Sequence, residues 1–190
     1  MANMAKRGKI AGQGGTAIPA RQGDEIRDAS QLPGWTVEQL DYPTFRVGLV
    51  AKVMDRLTIR QLAELGDLVY AEWRVLARLA AMPDGGTVRQ VAELAWVDRA
   101  EVSRAAGALE RKGLTTRRDN PQDGRMPILF LTEEGRTRYH AMVRWRSAFH
   151  ESLLSELSPQ DRATLDDLLG RIGGRLMDLL GRTGSEQGRQ

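Results

Sequence analysis

The chain has 190 residues, 41% hydrophobic and 28% charged, and its 28 Lys and Arg against 25 Asp and Glu leave a net charge of +3. That size and balance describe one globular domain with room for an attached assembly region, and exclude a disordered polyelectrolyte. Cysteine is absent and the two histidines, His140 and His150, stand ten residues apart, so disulfides, thiol chemistry and a histidine metal cluster are not expected.

No run of about 18 apolar residues occurs, so no transmembrane helix is expected. The basic start, 1–10, lacks the apolar core of a secretory signal, and a cytoplasmic protein is expected. Residues 1–30 show no periodicity and read as a flexible tail. Lys6, Arg7 and Lys9 suit a solvated tail better than a polyanion contact. The GQGGTA stretch is no phosphate loop: no strand precedes it and no Lys-Ser/Thr follows.

Between 31 and 44, Leu32, Pro33, Trp35, Tyr42 and Pro43 suggest a segment packed against something else. The spacing then predicts a helix over 45–65. Leu49, Val50, Val53, Met54 and Leu57 give it an apolar face wide enough to be buried on two sides, and Gly66 ends it. A second helix over 69–82 turns Trp73, Leu76, Ala77 and Ala80 inward, and 83–86 (PDGG) is a loop.

Thr87-Val-Arg-Gln90 has the form of a capping box, in which the Thr oxygen accepts an early helix amide and Gln reaches back. It opens a short helix over 88–95. Asp98-Arg-Ala-Glu101 reads as a second box, opening a helix over 99–112 that Gly113 terminates. Two capped helices joined by so short a turn describe a helix-turn-helix. At about 100° per residue, Val102, Ala105, Ala106 and Leu109 face the core. Ala100, Arg104, Gly107, Ala108 and Arg111 gather opposite, with Ser103 at the edge. Small residues around Arg104 would let this face approach another surface closely. The same pattern fits an ordinary amphipathic helix with some alanines.

Residues 114–118 read as a strand, 119–124 as a turn and 126–131 as a second strand, with Pro127 at an edge or strand start. This hairpin carries Arg117, Arg118 and Arg125, and a hairpin after a helix-turn-helix is a wing. Thr132 caps a long helix of about 25 residues, about 37 Å. Its apolar stripe is Tyr139, Met142, Trp145, Phe149, Leu153 and Leu157. Ser158-Pro159 starts the last helix, where Leu165, Leu168, Leu169, Ile172, Leu176, Leu179 and Leu180 recur at spacings of three and four. Gly170, Gly173 and Gly174 weaken it by about 1 kcal/mol each, so it needs tertiary or partner packing.

The fold expected is mainly α, with a small sheet: a central winged helix-turn-helix flanked by N- and C-terminal dimerisation helices. The divisions are a tail (1–30), an N-terminal extension and dimerisation helix (31–66), the winged helix-turn-helix (67–132), C-terminal dimerisation helices (133–182) and a second tail (183–190). A two-fold pair would present two recognition helices roughly 34–36 Å apart, the spacing of successive major-groove faces.

Residues 45–181 resemble the MarR family of bacterial transcription regulators. The resemblance rests on Glu72-Trp-Arg-Val-Leu76, Thr87-Val-Arg-Gln-Val-Ala-Glu-Leu94, Val102-Ser-Arg104, Leu109-Glu-Arg-Lys-Gly-Leu114, Asp123-Gly-Arg125, Leu131-Thr-Glu-Glu-Gly135 and Leu157-Ser-Pro159. It implies that the helix over 99–112 reads the major groove, with Ser103 and Arg104 at the DNA. Arg104 suits guanine O6/N7 or a phosphate, and Ser103 a phosphate oxygen. Arg125 matches a wing arginine entering a narrow minor groove, and Asp123 a residue that shapes the wing or holds a neighbouring arginine. Thr87, Arg99 and Arg118 complete the DNA-facing set, although Arg99, Arg117 and Arg118 fit a solvated face equally well. The sequence departs from the family pattern at Trp96, which either packs under the turn or covers the DNA backbone. It departs also at Ala100, at Val69 in a cap position, and at Gly124, which makes the wing less basic and more mobile.

The resemblance further implies a homodimer on double-stranded DNA with a palindromic operator, acting as a repressor and modulated by a small aromatic or phenolic effector. Leu49, Val53, Tyr70, Trp73, Arg74 and Met142 would line that effector's site, with plain core packing the favoured reading of these six. No cofactor, metal or membrane is expected. An enzyme is not expected either, since no triad signature, paired carboxylates or cofactor loop occurs. The alternative is a winged-helix protein-interaction module that has lost DNA binding; Trp96, Ala100 and Gly124 favour it, and Arg104 and Arg125 oppose it.

Overall fold

The computed structural model describes residues 32–66, 68–121, 123 and 125–187, with side chains as far as residue 181. The expected tail at 1–30 and Gly124 lie outside the described residues. The chain divides into two compact units, Met1–Leu57 and Thr58–Gln190, and the division falls within the first helix.

In the first unit the segment before α1 (Pro43–Leu65) folds against that helix's first turns. The guanidinium of Arg46 lies over the Trp35 ring, 5.2 Å from its centroid, and pairs with Asp41. Gly34, at φ +86°, lies against the Leu49 methyls. Pro43 supplies a pre-set φ at the helix start, where its missing N–H costs nothing. The start comes two residues before the expected one. None of Leu49, Val50, Val53, Met54 and Leu57 is fully buried within the chain: Val50 is exposed and the others half-buried.

The second unit begins with the last turns of α1, where Leu62 is buried in the main core, and Gly66 stops the helix at φ +73°. It continues with α2 (Tyr70–Ala80), β1 (Gly86–Thr87), α3 (Val88–Ala95), α4 (Arg99–Arg111), β2 (Thr115–Arg118), β3 (Ile128–Leu131), α5 (Glu133–Leu154) and α6 (Pro159–Gln187). The mainly helical class with a small antiparallel sheet is as expected. α6 runs on past residue 182, the limit assigned to it from the sequence.

The sheet order is β1-β3-β2, all antiparallel, with Gly86 and Arg117 both opposite Leu129. The strand β1 corrects the expectation of a plain loop over 83–86. A Cβ on Gly85, at φ +71°, would sit 2.6 Å from the Leu129 carbonyl oxygen, so only glycine lets the chain come close enough to pair there. β2 and β3 each span four residues, shorter than expected, because Leu114, Met126 and Pro127 lie outside the ladder.

The core joins Val75, Leu76 and Leu79 of α2, Val91 and Ala92 of α3, Val102, Ala105, Ala106 and Leu109 of α4, and Leu129, Leu131 and Met142. Each fully buried leucine contributes about 1.5–3 kcal/mol. The α4 core face is the expected one. The α2 face is rotated from it: Glu72, Val75, Leu76 and Leu79 are buried, while Trp73, Ala77 and Ala80 are only half-buried. The rotation follows from Glu72. Its carboxylate accepts the Val69 backbone N–H (3.1 Å), capping α2 where Val69 offers no oxygen, and pairs with Lys112 at the end of α4 (2.5 Å). A buried carboxylate needs such partners, and they set the helix's orientation.

A tight joint connects the winged module to α5. Thr132 caps α5 by accepting the Gly135 N–H (3.0 Å), while its hydroxyl donates to the Gly113 carbonyl (2.7 Å) and its backbone N–H to the Leu114 carbonyl (3.1 Å). Ser158 and Asp161 form a reciprocal cap at the start of α6. Arg162 clamps the α5–α6 turn by donating to the Leu154 and Leu157 carbonyls and to Glu151. Among the described residues no helix is long and apolar enough to cross a membrane.

Candidate nucleic-acid interface

The helix-turn-helix is built from its caps. Thr87 accepts the Gln90 amide (3.3 Å) and Gln90 accepts the Thr87 N–H (2.8 Å), the reciprocal box expected for α3. The Thr87 hydroxyl also donates to Gln90 (3.0 Å), so in this arrangement the side chain is occupied as a cap. Asp98 caps α4 through the Ala100 amide at 2.7 Å. The reciprocal half expected from Glu101 is replaced: Glu101 lies 3.9 Å from Arg74 on α2.

With Val102, Ala105, Ala106 and Leu109 buried, α4 presents Arg99, Ala100, Ser103, Arg104 and Arg111 to solvent, with Gly107 and Ala108 half-exposed between them. Among the described residues neither Arg99 nor Arg104 forms an ion pair. Arg104 thus projects an uncompensated guanidinium from a face of small residues. That is what a groove-reading helix needs: close backbone approach and a fork of donors at the right place.

Two of the wing's arginines are held by neighbouring side chains. Arg117 donates to Glu110 on α4 (3.0 Å), and the Arg118 guanidinium stacks over the Phe130 ring at 4.4 Å. Stacking of this kind contributes about 0.5–1 kcal/mol at an exposed site. Arg125 is exposed at the tip. Asp123 accepts the Arg125 backbone N–H (3.0 Å), an Asx-type turn, and the Met126 N–H donates to the Asp123 carbonyl. Asp123 therefore shapes the turn through the backbone.

Trp96 ends α3 in the left-handed region, φ 54° and ψ 46°, and is 69% exposed. It therefore does not pack under the turn, one of the two arrangements expected for it. A bulky L-residue there costs about 1–2 kcal/mol relative to a helical conformation, and glycine avoids that cost. Trp96→Gly is therefore expected to raise stability by about 0.5–1 kcal/mol, since little burial is lost and the glycine gives back part of the gain as chain entropy. Thermal unfolding at fixed protein concentration should move up by about 2 °C; a fall in the midpoint would show that the exposed ring stabilises the fold.

Of the six expected effector residues, Leu49 and Val53 are half-buried on α1. Met142 is core. Trp73 stacks on Tyr139, with centroids 6.1 Å apart and planes 17° from parallel. Arg74 lies over the Tyr70 ring at 5.5 Å and donates to the Ala95 carbonyl at 2.6 Å. Sequence reasoning did not find that last bond, nor the Glu72–Lys112 and Glu110–Arg117 pairs. Each joins residues seven to forty apart in sequence, and no spacing rule announces them. Among the described residues no cluster of His, Asp and Glu could hold a metal ion.

Two capped helices at a tight turn, a three-stranded sheet and a basic β2–β3 hairpin make this a winged helix-turn-helix protein. Residues 66–126 match the family model described as the MarR family. The chain is 31% identical over 83 residues to the uncharacterized HTH-type transcriptional regulator YdgJ of Bacillus subtilis (strain 168), a match spanning 44% of this chain and 51% of that protein. The solved transcriptional regulator SlyA superposes with a TM-score of 0.64 at 26% identity, covering 72% of this chain and 96% of SlyA. MepR of S. aureus, solved as a complex with DNA, has the same fold: TM-score 0.62 at 23% identity, over 70% of this chain and 98% of MepR.

Proposed function

We propose that this protein is a sequence-specific DNA-binding transcription regulator, acting as a homodimeric repressor on a palindromic operator. The observation that carries the reading is the outward face of α4, where Arg104 is exposed, with no ion pair among the described residues, beside Ser103 and the small residues Ala100, Gly107 and Ala108. Arg125, exposed at the wing tip, is the second contact, suited to a narrow minor groove. MepR, of the same fold, was solved bound to DNA. The pairing of two chains is supported by α6, whose leucine row is exposed along its length. Modulation by a small aromatic or phenolic acid is part of the same reading. Tyr70, Trp73 and Arg74 are its contacts, and a carboxylate engaging Arg74 would compete with the Ala95 carbonyl.

Binding of the protein to duplex from its own upstream region, measured over a salt series, tests the reading. Log affinity should fall with log salt with a slope of several units, as phosphate counterions are released. Arg104→Ala should cost about 1–3 kcal/mol and relax preference at one base pair per half-site. Unchanged preference would remove Arg104 from the base-reading face. Failure to bind any duplex would favour a protein-interaction module instead.

A further inference from the structure

We infer that Arg74 is a positioning residue for the recognition helix: it acts on DNA selection from α2, without touching DNA. The inference rests on the DNA-binding reading above. α2 grips α4 at both ends through charged side chains. At the C-terminal end of α4, Lys112 pairs with the buried Glu72 at 2.5 Å. At the N-terminal end, where α4 would enter a groove, Arg74 reaches across from α2. Its Nη2 donates to the Ala95 carbonyl at 2.6 Å and its Nη1 lies 3.9 Å from Glu101.

The Ala95 carbonyl is one of the acceptors a helix leaves unpaired at its C-terminus. Trp96 turns left-handed directly after it, so α3 cannot continue and satisfy that oxygen. Arg74 supplies both the missing donor and a positive charge against the negative end of the α3 dipole. The same guanidinium faces Glu101, three residues from Arg104 and on its side of the helix. The Tyr70 ring under the guanidinium limits its rotation. One planar fork thereby links the end of α3 and the first turn of α4, on either side of the turn, to a single helix. Lysine, a point charge without the fork, could keep only one of these links at a time.

Arg74→Met keeps the side chain's apolar stem and deletes the fork. It is expected to reduce the ratio of operator to scrambled-duplex affinity by about tenfold, the scale of one lost charge-assisted hydrogen bond. The salt slope should stay at the wild-type value, because no phosphate contact is lost. Amide exchange over residues 96–100 should accelerate while β3 stays protected. Arg74→Lys should restore part of the discrimination. A folded Arg74→Met protein that discriminates as wild type does, or exchanges its turn amides no faster, overturns the inference. So does a reduced salt slope, which would make Arg74 a phosphate contact. If Arg74→Met does not fold, Arg74→Lys carries the same comparison. A wild-type protein that prefers no duplex would instead overturn the regulator reading, and this inference with it.

Discussion

Gly135→Ala is expected to destabilise the protein by at least about 3 kcal/mol, a large share of the 5–15 kcal/mol that holds a typical domain together. A Cβ at this position would overlap the Leu114 carbonyl oxygen and lie 3.0 Å from its carbon. Both are backbone atoms, so no rotamer change relieves the clash. The Leu114 carbonyl is moreover committed, since it accepts the Thr132 N–H at 3.1 Å. Moving it aside breaks that bond and pulls on β2, which begins at the next residue. Helix propensity acts the other way and is too small: alanine gains about 1 kcal/mol over glycine in a helix interior. Urea unfolding should show the midpoint falling at unchanged slope. A change below about 1 kcal/mol would mean that the joint between α5 and the end of α4 is looser than its geometry indicates.

The same joint shows what the sequence could and could not convey. Thr132 was legible as a cap because Thr before two glutamates at a helix start has a local cause. Thr87 with Gln90 was legible for the same reason, and so was the α4 core face, whose four buried positions follow helical periodicity. Gly135 stood in the sequence as a motif residue, but its cause is a carbonyl twenty-one positions earlier. The inward face of α2 differs by a fraction of a turn from the one its pattern predicts, because hydrophobic pattern cannot show a buried carboxylate; Glu72 turns inward and pairs with Lys112, forty residues on. β1 is two residues long and has no periodicity to read. In the candidate interface, Arg104 and Arg125 were placed correctly as exposed. The sequence leaves Arg117 and Arg118 open between DNA and a solvated face, and cannot show that the hairpin's register brings them to Glu110 and to the Phe130 ring.

The second large effect concerns assembly. Leu169→Lys with Leu176→Lys is expected to convert a species of twice 21.1 kDa into the single chain and to weaken operator binding by about 10²–10⁴. The two leucines stand seven residues apart, two turns along α6, and are 43% and 56% exposed in the lone chain. No described residue of α6 is buried, so its apolar row contributes little to the fold of one chain and is available to a second. Lysine and leucine have similar helix propensities. The substitutions should therefore leave helix content and the winged module intact while placing four ammonium groups in the proposed two-fold contact. Burying unpaired charges there costs far more than it returns. Sedimentation reads the mass, and binding to full and half operators reads the consequence. The double variant should bind a half-site as wild type does, and lose only the gain from the second half-site. A variant that still sediments as a pair would move the contact away from α6. A variant that loses half-site binding as well would show that α6 supports the fold of the recognition helix within one chain.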